Sequence, residues 1–216
     1  MSNDIIKNFH ILYYDSPTWR SNLTTWMGVV TWKCPFDLWI IQELLCQLKL
    51  DYLIETGTAF GGSALYYANI FDLLDHGQVI TIDNNSSPFM TSKDIENRPK
   101  HPRITYIEGS STDIKIVKQV SDLCKGLNVM VVLDSFHSEP HVYDELQLYS
   151  PLVSSGSYII VEDTNVNGNP VAPDHGPGPN EAVKKWLTQN PSFKTDLSCE
   201  RLLMTFNPGG FLKRVS

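Results

Sequence analysis

The chain of 216 residues has little that would carry it to a nucleic acid, a membrane or a thiolate-bound metal. Charged residues make up only 19%, the formal net charge is −7, and no basic run appears beyond Lys184-Lys185. A nucleic-acid surface needs a basic face, so nucleic acid is not an expected partner. The apolar runs at 129–133 and 158–161 are far shorter than the about 20 residues that cross a bilayer, so no membrane is expected either. The four cysteines, Cys34, Cys46, Cys124 and Cys199, stand apart without a Cys-x-x-Cys pair. Isolated thiols argue against a zinc site and for a reducing compartment. The opening Met1-Ser2-Asn3-Asp4 lacks a basic segment leading into an apolar one, so no secretory signal is expected and the chain reads as cytoplasmic. Internal repeats, low-complexity linkers and a Gly-x-Gly-x-x-Gly dinucleotide loop are also missing.

What is present is an ordinary globular balance, 42% hydrophobic, of a length that suits one well-filled core. Residues 1–33 are rich in aromatics (Phe9, Tyr13, Tyr14, Trp19, Trp26, Trp32) and lack a clear period. They are set apart as an N-terminal segment, a lid or an oligomer contact, before a single domain over 34–216. Pro35 and Asp37 open an amphipathic stretch at 36–49. Strand-like runs follow at 52–55, 78–83, 104–108, 129–134 and 158–162, alternating with helical segments at 62–74, 113–124, 139–149 and 180–189. The stretch 84–103, with three prolines, reads as loop plus a short helix. Alternation of this kind predicts a doubly wound α/β fold with a mostly parallel sheet. The ending differs, because 193–197 and 201–206 read as two successive strands, a C-terminal antiparallel pair.

In such a sheet, ligands bind beyond the carboxyl ends of the strands, where the strand order reverses. The first strand ends in Glu55-Thr56-Gly57-Thr58-Ala59-Phe60-Gly61-Gly62-Ser63. An acid followed by Gly-x-x-x-Gly suits S-adenosylmethionine (SAM), which has a cationic aminoacyl end and no pyrophosphate, although plain βα turns share this composition. Asp83, ending the second strand, is placed to accept hydrogen bonds from ribose hydroxyls or to cap the following turn. Ser110 and Ser111, after the third strand, would border the adenine or serve only as turn residues. The fourth strand ends in Asp134 and the fifth in Glu162-Asp163. If these strands are neighbours, three carboxylates converge, and their mutual repulsion calls for a cation, Mg²⁺ first among hard ions. A capping role for one of the aspartates is the alternative. His137, three residues past Asp134, is placed to act as a general base, with His141 a weaker candidate and His10, His76 and His101 read as structural.

From Trp26 to Phe211 the chain resembles the cephalosporin hydroxylase family, whose members include rhamnosyl O-methyltransferases. The matching stretches include Lys33-Cys34-Pro35-Phe36-Asp37-Leu38-Trp39, Ile54-Glu55-Thr56-Gly57-Thr58, Leu133-Asp134-Ser135, Val161-Glu162-Asp163-Thr164-Asn165 and Asn207-Pro208-Gly209-Gly210-Phe211. The resemblance implies a SAM-dependent methyltransferase fold, Mg²⁺ dependence and a homo-oligomer. The chain is also similar, more distantly, to macrolide-sugar O-methyltransferases, and that resemblance implies metal-ligand roles for Asp134, Glu162 and Asp163 and a base role for His137. The expected reaction is methylation of a hydroxyl on a sugar or other natural product. Phe136 stands where the family leads one to expect a polar residue, so no acceptor is carried over. Two other readings remain at this point. One is a non-haem iron oxygenase, with His137-Ser138-Glu139 and the distant His175 as its triad, which leaves Glu55, Asp83 and Glu162-Asp163 without a role. The other is a non-catalytic partner protein on the same fold.

Overall fold

The computed structural model describes residues 2–17 and 24–216; the aromatic Trp19 lies outside them. Helix α1 (Ser2–Asp15) is followed by a two-strand hairpin, β1 (Thr25–Trp26) and β2 (Val29–Val30), closed by Met27 and Gly28 at positive φ. Both central turn residues in that region match the twist of a tight hairpin. Helix α2 (Pro35–Leu48) begins on a proline, whose missing N–H is not needed in a first turn.

From there strands and helices alternate as the sequence predicts: β3 (Tyr52–Thr56), α3 (Gly62–Leu73), β4 (Gln78–Asp83), α4 (Ser92–Glu96), β5 (Ile104–Glu108), α5 (Ile114–Leu123), β6 (Val129–Leu133), α6 (Glu139–Tyr149), β7 (Tyr158–Val161), α7 (Pro179–Leu187), β8 (Phe193–Thr195) and β9 (Phe211–Arg214). The seven-stranded sheet has the order β5-β4-β3-β6-β7-β9-β8, parallel from β5 through β7, with β9 antiparallel to both of its neighbours. Alternate residues of each buried strand serve opposite faces. Ile54, Val131 and Leu133 pack with Val120 of α5, Leu146 of α6 and Trp186 of α7, while Leu53, Met130 and Val132 pack with Ile41 and Leu45 of α2 and Phe71 of α3. The strand order reverses between β3 and β6. That puts the ends of β3, β4, β6 and β7 around one crevice.

Two expectations need correction. The N-terminal residues contain a helix, α1, rather than an aperiodic segment. The second closing strand is β9, not 201–206. In that run Leu203 adopts φ 72, and the Phe206 amide donates to Asp37 Oδ2 at 2.8 Å instead of to a strand partner. Met204 and Phe206 instead join Tyr14, Cys34, Val166 and Val171 in a third apolar cluster that seats α1.

Candidate active site

A cavity of about 610 Å³ occupies the crevice and is lined by Gly57, Ser63, Asp83, Ser110, Ser111, Asp134, His137 and Asp163 among others. Its volume falls in the range of small-molecule sites, roughly 300–1,000 Å³. Glu55 and Glu162 are not on its wall.

The β3–α3 loop is held in place from two sides. Asp83 Oδ2 accepts from the amides of Thr58 (3.0 Å) and Ala59 (2.9 Å), and Arg98 Nη2 reaches the same oxygen at 3.2 Å. Its Oδ1 accepts from the Asn85 amide at 2.7 Å. Asp83 is thus a clamp on the loop as well as a lining residue. Gly57 is required for a reason other than ligand approach. A Cβ there would lie 1.8 Å from the Asp134 carbonyl oxygen, and its φ is +87°. The glycine lets the ends of β3 and β6 meet. Glu55 lies fully buried beneath the loop, with Oε2 accepting from Thr81 at 2.7 Å; burial pushes its carboxyl up to about 7. Ser63, 6% exposed, helps to hold the Glu55 carboxyl down against the effect of burial. Ser111 Oγ lies 3.3 Å from His141 Nε2, which is itself 2.9 Å from Ser135 Oγ.

On the other wall, β6 and β7 are hydrogen-bonded neighbours, so the acids that follow them meet. Asp134 stands just past β6, its amide donating to Thr56 O at 3.0 Å. At Asp163 the chain turns through φ 53, a left-handed conformation that aspartate tolerates, and the amide donates to Asn207 Oδ1 at 3.0 Å. Ligand-capable atoms of Asp134, His137 and Asp163 all lie within 4.8 Å of one another. His137 bridges the acids, Nε2 at 3.3 Å from Asp134 Oδ1 and Nδ1 at 3.1 Å from Asp163 Oδ2. Burial pushes its imidazole down, but the carboxylates of Asp163 and Asp134 outweigh this and hold its pKa at about 9. The three acids expected to converge are therefore divided. Glu162, 3% exposed, lies behind the cavity wall and is held by a residue without an assigned role in the sequence, Lys33. The ammonium of Lys33 is 2.5 Å from Asp134 Oδ2 and 3.2 Å from Glu162 Oε1. Burial raises the Glu162 carboxyl against the pull of Lys33. Its signals in the sequence are its place among aromatic residues just before a helix and at the head of the family-matching stretch Lys33-Cys34-Pro35-Phe36-Asp37-Leu38-Trp39.

The carboxylates of Asp134 and Asp163, brought together beside His137, form a fitting pair of oxygen donors for a hard divalent cation. His175 lies outside this group, with Nδ1 3.1 Å from the Gly176 carbonyl oxygen, so among the described residues no two-histidine triad is assembled.

Residues 18–215 match the family model described as rhamnosyl O-methyltransferase/CmcI. The chain belongs to that family. Rhamnosyl O-methyltransferase of Mycobacterium tuberculosis (strain ATCC 25618 / H37Rv) is 38% identical, with 99% of this chain and 86% of that protein aligned. The Mycobacterium leprae (strain TN) protein of the same name is 36% identical, over 99% and 92% of the two chains. Among solved structures, CmcI with Mg and SAM matches at TM-score 0.65 and 19% identity, covering 90% of this chain and 78% of that one. A putative caffeoyl-CoA O-methyltransferase from Staphylococcus aureus matches at TM-score 0.60 and 18% identity, covering 90% and 92%. The fold is that of SAM-dependent methyltransferases, and the chain is a methyltransferase by family.

Proposed function

We propose that the protein transfers a methyl group from SAM to a hydroxyl of a sugar or other natural-product small molecule, with Mg²⁺ as the metal ion. The observation that carries this reading is the convergence of Asp134, His137 and Asp163 on the wall of the cavity that the β3–α3 loop also lines. The rhamnosyl O-methyltransferase name of the relatives supports a sugar acceptor, and the Mg and SAM of the CmcI structure support the two cofactors.

Asp134 and Asp163 would hold the cation, with Glu162 behind the wall, paired to Lys33 rather than facing the ion. When bound, such an ion supplies positive charge that polarises a hydroxyl and offsets the two aspartates. The β3–α3 loop, fixed by Asp83, and the lining Gly57, Ser63, Ser110 and Ser111 would bind SAM. His137 would take the hydroxyl proton. With the aspartates offset, its hold on its own proton weakens, and it becomes a base near neutral pH. Alignment of the two reactants supplies much of the remaining rate. Trp32, Phe89 and Phe136 line the same cavity and give the acceptor an apolar wall. Exposed Ile5, Phe9 and Leu12, spaced along α1, favour a homo-oligomer through the N-terminal segment, which light scattering showing only monomer would contradict.

Calorimetry tests the site directly. Wild type is expected to bind S-adenosylhomocysteine and Mg²⁺, and Asp163→Ala to lose Mg²⁺ while keeping S-adenosylhomocysteine. NADH binding in place of S-adenosylhomocysteine would overturn the reading.

A further inference from the structure

Lys33 lies between β2 and α2, is 4% exposed, and has no place in the methyl-transfer chemistry above. Its Nζ touches Asp134 Oδ2 at 2.5 Å and Glu162 Oε1 at 3.2 Å. Among the described residues no other lysine or arginine is paired with either acid. Glu55 and Tyr67 also feel its charge; Glu55 Oε1, the Tyr67 hydroxyl and Glu162 Oε1 are buried without hydrogen-bond partners, so Lys33 holds Glu162 as an ion pair rather than through a hydrogen bond. An ammonium taken out of water is retained only where it is paired.

The contacts on Asp134 are divided. Oδ2 is engaged by Lys33, while Oδ1 faces His137 at 3.3 Å. The lysine therefore grips the carboxylate without occupying the oxygen turned toward the histidine. It also ties Asp134 to Glu162, two adjacent acids that would otherwise repel. We propose that Lys33 is a positioning residue for the cation site, fixing Asp134 through Oδ2 and anchoring Glu162 so that Oδ1 is presented to the ion. This rests on the divalent-cation reading above. It makes the segment that bears Lys33 part of the site rather than a detachable lid.

The test is Mn²⁺ binding to the full chain, followed by electron paramagnetic resonance without acceptor, with S-adenosylhomocysteine affinity as a check on the fold. Lys33→Met keeps the apolar stem and removes the charge. Loss of such an outer partner costs about 10–100-fold in metal affinity, and this weakening is expected with S-adenosylhomocysteine affinity unchanged. Mn²⁺ affinity equal to or tighter than wild type would overturn the proposal, since a lysine that only competes for Asp134 would give that result. If Lys33→Met does not fold, Lys33→Gln is judged by the same outcomes, and failure of both to fold makes Lys33 a structural residue and overturns the proposal. Wild type that binds no Mn²⁺ refutes the cation reading itself, which separates the two failures.

Discussion

His137 is held at both ring nitrogens by carboxylates, and a base must have a nitrogen free of its proton. With its pKa at about 9, the ring is an imidazolium at neutral pH until the charges of Asp134 and Asp163 are offset. The base role proposed for it is therefore tied to the charge of the two aspartates beside it. His137→Gln is expected to lower kcat by about 10²–10⁴-fold with S-adenosylhomocysteine affinity near wild type, as loss of a general base typically does. Steady-state kinetics showing most activity retained would move the base elsewhere, with His141 next in line. Asp134, His137 and Asp163 were readable in the sequence because a parallel strand delivers the residues after it to the crevice. The separation of Glu162 from that wall was not, since period-2 patterning does not say how a turn after the strand aims its side chains. Lys33 carried no periodic signal at all. Its burial between Asp134 and Glu162 is what gives it a place in the site.

At the scale of elements, the β3–α3 loop and the end of β6 depend on each other through Gly57. A side chain there meets the Asp134 backbone at 1.8 Å and a φ of +87°. Gly57→Ala is expected to destabilise the fold by at least about 1–3 kcal/mol, the usual cost of a strained backbone, and to weaken Mg²⁺ binding by displacing Asp134. Thermal unfolding and calorimetry check both, and a wild-type melting temperature would contradict the packing described. Helix α1 escaped the sequence reading because its apolar residues are spread around it. His10 and Tyr14 face inward, while Ile5, Phe9 and Leu12 remain exposed. The inward face is partly polar: His10 bonds Asn165 at 3.0 Å and stacks on Phe206. The misplaced last strand has a similar cause. Met204 and Phe206 make the run 201–206 apolar because they help seat α1, whereas β9 is half polar and reads weakly.

For the whole molecule, the buried charges set how stability depends on pH. His137 has a folded pKa of about 9 against an ordinary 6.5, so its contribution is full below 6.5 and lost as pH rises through 9. Burial also raises the carboxyls of Glu162 and Asp163, and acids raised in this way lose stability in the same direction as pH climbs. The cation-free protein is therefore expected to melt at lower temperature at pH 9 than at pH 7, and saturating Mg²⁺ to flatten that slope. Differential scanning calorimetry with and without Mg²⁺ checks this, and an equal slope in both would mean the ion binds elsewhere. No helix among the described residues is long and apolar enough to cross a membrane, in keeping with the short apolar runs of the sequence. The doubly wound fold was readable because each strand and helix signals its own period and the right-handed crossover rule does the rest. The most direct measurement is transfer of a labelled methyl group from SAM to a panel of glycosides, run with Mg²⁺, with excess chelator, and with Asp163→Ala. Label is expected in a glycoside product only for the wild-type protein with Mg²⁺. Undiminished transfer in excess chelator, or by Asp163→Ala, would contradict the central claim that these acids hold a cation needed for methyl transfer.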